Sequence, residues 1–498
     1  MHDNHVMTTR SVIFCVAVVS LGLATHLPAA VAYDSPSATD SRPANKPHRM
    51  IVLTDIGAEV DDTESMVRLL LYSDVIDIQG LIATTSTWKR TSVSPELIHD
   101  VIRAYSQVHG NLLKHDPNYP PADALRALVK RGLADYGMKG VGFGKDSEGS
   151  DWIIRILEKE DDRPLWITVW GGANTLAQAL YKLRATRPAA EVGALVAKLR
   201  VYTISDQDDS GPWIRKNFPN LFYIVTPGGD YGAATWTGIN TFIPGIDNST
   251  ISNKWIAEHI QQGHGPMGAV YPDVAYGMEG DTPSWLALIP NGLSFPEHPE
   301  WGGWGGRYEL YRPEVPVADP KTFLGGVPIE PETRPIWTNA IDECAPPVTG
   351  EYGRATRPGE KSFKDFKATL WRWRDDFQND FAARMDWTTK SYQEANHPPV
   401  PVMNHPDAIV VRSGENLRLD AHATDPDGDS LSFFWLQYPE AGSYKGTVTF
   451  SGAENMARVD LVAPKVENAE TVHFILRVTD KGRPPLSRYQ RVIVTVVP

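Results

Sequence analysis

Cysteine is all but missing from this chain of 498 residues, which has only Cys15 and Cys344. Cys15 lies inside an apolar stretch, Val12 to Leu23, that follows Arg10 and precedes Ala30-Val31-Ala32. That pattern predicts a secretory signal peptide over 1–32, cut after Ala32, and a secreted or periplasmic product. Cys15 sits too early in the stretch to serve as a lipid anchor. The processed chain then keeps Cys344 alone, so it forms no intrachain disulfide and must rely on a large core or on bound metal. A second apolar run long enough to cross a membrane is also missing. No basic cluster stands out, and 48 Lys and Arg against 61 Asp and Glu leave a net charge of −13. That balance excludes nucleic acid and anionic membrane as main partners. Zinc-type His/Cys spacing and a Gly-x-Ser-x-Gly elbow are absent. Gly140-Val-Gly142-Phe-Gly144-Lys145 has the spacing of neither nucleotide fingerprint and reads as a rim loop before a helix capped by Ser150.

What is present is a dense acidic loop. The chain reads Arg49-Met-Ile-Val-Leu-Thr-Asp55-Ile-Gly-Ala-Glu59-Val-Asp61-Asp62, an apolar run breaking into four carboxylates. Thr63 to Tyr72 reads as a helix, and Ile78 to Ala83 is a second apolar run ending in Thr84-Thr85-Ser86. Strand, acidic loop, helix, strand opens a parallel α/β sheet, whose ligands bind outside the carboxyl ends of the strands. Carboxylates this close resist ionising unless a cation compensates them. All the donors are oxygen, so the cation would be hard, calcium before magnesium. A solvated acidic turn on a capped helix is the competing reading, since Asp61 and Asp62 suit a helix N-terminus.

The same pattern recurs along the chain. Leu165 to Trp170 runs into Gly171-Gly172-Ala173-Asn174 and a helix from Thr175 to Lys182. Leu199 to Ile204 runs into Ser205-Asp206-Gln207-Asp208-Asp209-Ser210, and Leu221 to Val225 is broken by Pro227-Gly228-Gly229. Residues 33–47 are a Ser/Pro/Ala-rich leader. Residues 48–315 form the α/β part. Residues 316–396 are a Pro-rich and then helical extension, in which Phe363 to Trp387 packs back with Trp371 and Trp373 partly buried. Residues 397–498 show short alternating runs and turn residues, the pattern of a β-sandwich. Its Asp425-Pro-Asp427-Gly-Asp429 reads as a calcium loop or, more commonly, as a hairpin turn. Of its aromatics Phe433, Phe434, Trp435, Tyr438 and Tyr444, about half must point inward, so a packing role is favoured over independent glycan binding.

Two further segments join the acidic loop: Thr168-Val-Trp170-Gly-Gly-Ala-Asn174, and Met278-Glu279-Gly280-Asp281-Thr282-Pro283-Ser284-Trp285. In this order the chain resembles the calcium-dependent nucleoside hydrolases. It is most similar to a secreted, nucleoside-hydrolase-like family known as cellulose-binding proteins, which also ends in a sandwich domain. Ile56-Gly-x-Glu-x-Asp-Asp62, Ser205-Asp-Gln-Asp-Asp-Ser-Gly-Pro-Trp213, Glu279-Gly-Asp-Thr-Pro-Ser284 and Trp304-Gly-Gly-Arg-Tyr308 carry the likeness over nearly the whole processed chain. The resemblance implies a mostly parallel α/β sheet with flanking helices and a C-terminal immunoglobulin-like β-sandwich. It implies Ca2+ held by Asp55, Asp62, the Trp170 carbonyl and Asp281.

The chain departs from the hydrolase pattern Asp-x-Asp-x-Gly-x-Asp-Asp. Aligned without a gap, Asp55 is its first aspartate and Gly57 occupies the second. With a two-residue insertion, Asp55 is the second and Glu59 is extra. The family's asparagine after the threonine pair and its histidine before the late aspartate are both replaced, here by Ser86-Thr-Trp88-Lys89 and Gly280. A nucleoside substrate is therefore disfavoured. The expected catalytic pair is Asp55 as base and Glu279 as acid. Asp61, Glu59, Trp88, Asn174, Asp206, Gln207, Asp208, Trp213 and Trp304 are expected to hold a carbohydrate or polysaccharide, with Trp170, Trp285 and Trp301 completing an aromatic platform. Calcium-dependent hydrolysis of a glycosidic bond in a carbohydrate or furanoside is the expected activity, non-catalytic carbohydrate (cellulose) binding is the alternative, and a nucleoside N-ribohydrolase comes third.

Overall fold

The computed structural model describes residues 46–227, 235–311, 332–345 and 359–498, apart from positions 245, 276, 333, 360 and 452–454. The expected signal peptide, most of the leader, Gly228-Gly229 and most of the Pro-rich start of the extension lie outside the described residues.

The apolar run after His48 becomes the centre of a sheet. β1 (His48–Thr54) pairs in parallel with β2 (Ile76–Ala83) on one side and with β4 (Leu165–Val169) on the other, and β3 (Val129–Arg131) flanks β2. β5 (Leu199–Ser205), β6 (Phe222–Thr226), β7 (Tyr308–Tyr311) and β8 (Ile336–Asn339) complete eight strands in the order β3-β2-β1-β4-β5-β6-β8-β7. All the pairings are parallel except the antiparallel β7–β8 pair. Helices cover both faces, which is why β1 and β4 read as unbroken apolar runs rather than alternating ones. One buried core contains Met50 and Val52 of β1, and a second contains Ile51 and Leu53 on its other face. Each such side chain contributes about 1.5–3 kcal/mol by leaving water. Because the crossovers are βαβ units, the carboxyl ends of β1, β2, β4 and β5 share one rim, and α1 (Asp61–Leu70) begins there.

The segment expected as one packing helix is a strand, Phe363–Asp365, a turn of helix, Ala368–Trp371, and a longer helix, Arg374–Asp386. Trp371 and Trp373 are fully buried rather than partly so. The helix Arg374–Asp386 lies between α1 and the C-terminal module: Tyr72 donates to Asp380 at 2.7 Å, and Ser487 donates to Asp376 at 2.9 Å. The module is two four-stranded sheets packed over their own core. One holds Val400–Met403, Asn416–Thr424, Arg458–Val462 and Phe450–Ser451, and the other Ala408–Arg412, Ser487–Val497, Glu470–Asp480 and Leu431–Gln437. Trp435 lies in that core, whereas Tyr438 turns to the α/β side and donates to Asp342 at 2.7 Å. In the turn between two of these strands Asp425 Oδ1 accepts the backbone N–H groups of Asp427 and Asp429, the bonding of a capped turn. Among the described residues no helix is long and apolar enough to cross a membrane.

Candidate acidic metal and sugar site

The rim gathers the carboxylates of three distant segments. Asp55 leaves the end of β1, Asp61 and Asp62 open α1, and Asp281 arrives from a late loop; all four are between 3 and 5 % exposed. Oxygens of Asp61, Asp62 and Asp281 lie within 4.8 Å of one another. Asp55 is hydrogen-bonded to Asp62 and to the Ser86 hydroxyl. The Thr54 hydroxyl donates to Asp62, and the Trp236 indole N–H donates to Asp61 at 2.6 Å. Gly57 makes the loop possible. Its φ is +86°, and a Cβ there would lie 2.6 Å from Leu97 Cδ1. Gly171 packs so closely that a Cβ would sit 2.7 Å from Asp55 Oδ1. Asp55 thus stays within the acidic group, while Gly57 offers no ligand atom.

Burial comes first in the electrostatics. It pushes the carboxyl of Asp61 up to about 7 and those of Asp62 and Asp281 well above the ordinary range, and the neighbouring carboxylates push the same way. Asp55 is also raised, mainly by burial, although Lys89 and its own hydrogen bonds oppose the shift. Lys89 is committed elsewhere, donating to the Ile56 carbonyl at 2.9 Å and to Ser94 at 2.7 Å. A capped acidic turn does not account for this. Val60 takes the cap position with no side-chain cap bond, and the two aspartates face Trp236 and Thr54 instead.

The donor set fits a hard cation. Every candidate ligand is oxygen, and the group is dry and uncompensated. The Trp170 carbonyl accepts Gln207 Nε2 at 2.7 Å and keeps a second lone pair, and its indole donates to Ser284 at 3.0 Å. Gln207 Oε1 and Asp208 Oδ2 are buried without a partner. The structure changes the expected ligand set in one respect. Asp61, expected on the sugar, belongs to the close carboxylate trio, and Asp55 stands beside that trio.

A family model described as Cellulose-binding Sde182, nucleoside hydrolase-like domain matches residues 49–308. A second, Cellulose-binding protein Sde0182, C-terminal domain, matches residues 416–496. The chain belongs to this family. A solved nucleoside hydrolase-related hypothetical protein from Saccharophagus degradans, associated with carbohydrate metabolism, is 36 % identical, with a TM-score of 0.75. The match covers 91 % of this chain and all of that one. The effector XopQ, solved with adenosine diphosphate ribose, is 15 % identical over 60 % of this chain and 89 % of that one. Its TM-score of 0.28 is too low to carry an argument. No curated protein matches.

Within this nucleoside hydrolase-like fold several expected site residues do other work. Glu279 is fully buried, with Oε2 2.6 Å from Arg68 Nε, and it accepts from Tyr271 at 2.9 Å and Thr282 at 2.9 Å. Its left-handed φ of +51° turns the chain two residues before Asp281. Both oxygens are occupied and Glu279 is enclosed, which weighs against its expected role as the leaving-group acid. Asp206 is clamped by Arg215 through two bonds, 2.8 and 2.9 Å, and is no sugar clamp. Asn174, also expected on the substrate, is enclosed and its amide is fully used within the protein. It donates to Thr85 at 2.8 Å and to the Asp135 carbonyl at 2.7 Å, and accepts from Thr84 at 2.9 Å. Asp208 accepts from the Ser210 N–H at 2.9 Å and is enclosed, so it too lies behind the cleft surface.

The aromatic platform fails for the same reason. Trp304 is completely buried against Tyr489, and Trp170 and Trp285 are core. Trp213 packs under Arg184 and against Phe218 on the outer face of the sheet. Trp301 stacks on His298 near the C-terminal module. Trp88 is different: it is 44 % exposed on the loop after β2, two residues from Ser86. Glu59 is half-buried in the acidic loop, its carboxyl raised by burial and then by Asp55. Sequence reading missed Trp236, which lies in no motif, and the rim-end hydroxyls of Thr54 and Ser86. The hydroxyls carried a signal, since both sit at strand ends.

Proposed function

We propose that this protein binds a carbohydrate or polysaccharide at the rim of its nucleoside hydrolase-like domain and hydrolyses a glycosidic bond there with calcium in the acidic group. The observation that carries the reading is the enclosed group of Asp55, Asp61, Asp62 and Asp281, four carboxylates with no arginine among them. Asp61, Asp62 and Asp281 would hold the ion, together with the Trp170 carbonyl. Bound calcium would supply fixed positive charge that keeps these carboxylates ionised and polarises the oxygens it meets.

The chain's own groups account for the proton movements. Asp55, ionised and oriented by Ser86 and Asp62, accepts a proton from water as the water oxygen attacks the anomeric carbon. The glycosidic C–O bond breaks with its electron pair on the departing oxygen. Glu59, whose carboxyl is raised by burial and by Asp55, is the acid proposed to give that oxygen a proton. Trp88 offers its exposed face to a sugar ring, and burial of the rest excludes bulk water. Residues 48–315, 316–396 and 397–498 are proposed as the working divisions of a secreted or periplasmic chain, the last of them a packing module.

The test is a panel of plant and bacterial polysaccharides, with and without chelator, scored for new reducing ends. Product formed with calcium, lost in chelator and cut at least a hundredfold by Asp55→Asn, supports hydrolysis. Enclosure of Glu279 favours a second reading, a carbohydrate-binding protein without catalysis. Binding without product, unchanged by Asp55→Asn, selects it.

A further inference from the structure

The Gly140 to Lys145 loop sits beside the acidic site and presents a phenylalanine to solvent for which the fold has no use. Phe143 is 96 % exposed, the most exposed of the large apolar side chains described. Gly142 and Gly144 flank it at φ +150° and +72°, which lifts the ring on a tight tip. The tip is braced rather than loose. Gly142 N–H donates to Gln178 Oε1 at 2.8 Å, and Gln178 Nε2 returns bonds to the Gly142 carbonyl at 3.0 Å and to Asp146 at 2.7 Å. The same loop walls a cavity of about 310 Å³, lined by Thr91, Leu133, Ala134, Asp135, Gly140, Lys145 and Asp146.

Its lining mixes carboxylates, an ammonium, a hydroxyl and two apolar side chains, the combination a neutral polyol needs. Sugar hydroxyls both donate and accept, and the C–H face of a pyranose packs on an aromatic ring. Asp135, Asp146 and Lys145 give close to charge balance, which suits neither a polyanion nor a polycation. The cavity is tied to the acidic rim through one side chain. Asn174 holds the Asp135 carbonyl with one N–H and Thr85 with the same amide nitrogen. Arg90, two residues beyond Trp88, lies 4.7 Å over Tyr136, and the Tyr136 hydroxyl donates to the Gln207 carbonyl at 2.9 Å. Thr91 then lines the cavity itself. The loop carrying Trp88 and the loop carrying Phe143 thus both contribute residues to the wall of this cavity.

We infer that this cavity, walled by the loop that carries the exposed Phe143, is a second glycan subsite. It takes a neutral pyranose unit several places along a chain whose first units lie over Trp88 and the acidic group. The inference rests on the carbohydrate reading above and extends it from a sugar to a chain.

Calorimetry on the full-length protein with cellobiose and cellohexaose tests it. Phe143→Ala is expected to weaken cellohexaose about tenfold while leaving cellobiose, calcium binding and the melting temperature unchanged. Phe143→Tyr restores the affinity, and Asp135→Asn lowers it as well. Trp88→Ala weakens both oligosaccharides. Cellohexaose bound equally by Phe143→Ala and the unaltered protein, with Trp88→Ala impaired, overturns the subsite and leaves the carbohydrate reading intact. If the unaltered protein binds calcium but neither oligosaccharide, the carbohydrate reading fails and takes the subsite with it.

Discussion

Two buried acidic groups lie on opposite ends of α1, and their surroundings differ in one respect. At the first turn, Asp55, Asp61, Asp62 and Asp281 have hydroxyls, an indole and each other for company. Past the last turn, Asp74 and Asp380 meet arginines: Arg384 is 2.7 Å from Asp74, and Arg488 is 2.6 Å from Asp380. The outcome differs at Asp380. Asp61, Asp62 and Asp281 are held toward the neutral acid, whereas Asp380 is pulled below the ordinary carboxylate range once Arg488 and Arg384 outweigh its burial. Burial still raises Asp74 against the pull of Arg384, so it is the presence of paired arginines that separates an ion-pair network that braces the fold from a group that awaits a cation.

Breaking the arginine side should have the largest effect. Arg384→Ala leaves Asp74 and Asp380 buried with less compensation, and removing one partner of such a network costs about 3–5 kcal/mol. Chemical denaturation should show that loss equally with and without calcium. A calcium-dependent loss would mean that the two groups are not separate. Chelation should act on the other group alone. An ion at a hundred times its dissociation constant stabilises by about 2.7 kcal/mol, so chelator should lower the melting temperature of the unaltered protein. Asp281→Asn should abolish that dependence and leave the metal-free protein as stable as before or more so, because it removes a carboxylate from a repulsive group. Identical melting curves with and without chelator would sink the metal reading.

The pH dependences should also run in opposite directions. Asp61 titrates near 7 in the fold against an ordinary 3.8. Between those values the folded state holds the extra proton, so Asp61 makes the metal-free protein less stable as pH rises through that window. Asp380 lies below its ordinary value, so its contribution is complete above that value and is lost as pH falls through the folded one. Calcium must displace protons from Asp61, Asp62 and Asp281, so its apparent affinity should rise by at least about tenfold per pH unit up to 7. Calcium titrations across that range check the slope, which should become shallower in Asp61→Asn.

The sequence reveals the uncompensated group better than the paired one. Asp55, Asp61 and Asp62 are packed into a single loop after an apolar run, and Asp281 sits in a quotable motif, so composition alone signals mutual repulsion. Asp74, Asp380 and Arg488 are separated by hundreds of residues, and only the fold joins them. The same limit explains the misread side chains. Glu279 looks like a free acid until Arg68, over two hundred residues away, closes on it. Tryptophan near glycine looks like a sugar platform, but Trp304 shares its glycine-rich segment with the packing of Tyr489 and Phe377. β1, β2, β4, β5 and β6 were legible because each carries its own apolar run, whereas the short β3, β7 and β8 carry none and were not, β8 lying in the stretch expected as an extension. Val400–Met403 and Arg458–Val462 in the C-terminal module were not, since both are short and half-exposed edge segments.

The smallest effect sharpens the comparison, because it concerns the one strong neutral donor on Asp61. Trp236 Nε1–H stabilises the ionised form of Asp61 without bringing charge, the role arginine plays at the other end of α1. Trp236→Phe keeps most of the ring's packing and removes that bond. Asp61 should then titrate higher than about 7, and the calcium affinity at neutral pH should fall about tenfold, the lower end for a residue bonded to a metal ligand. Raising the pH should recover most of the loss, since the ligand itself is intact and only its deprotonation has become harder. A loss that stays constant across pH would instead mean that Trp236 shapes the position of Asp61 rather than its charge. The Arg384→Ala protein provides the contrast, because its defect should not recover as pH rises: ionising its aspartates only exposes the lack of their counter-charge.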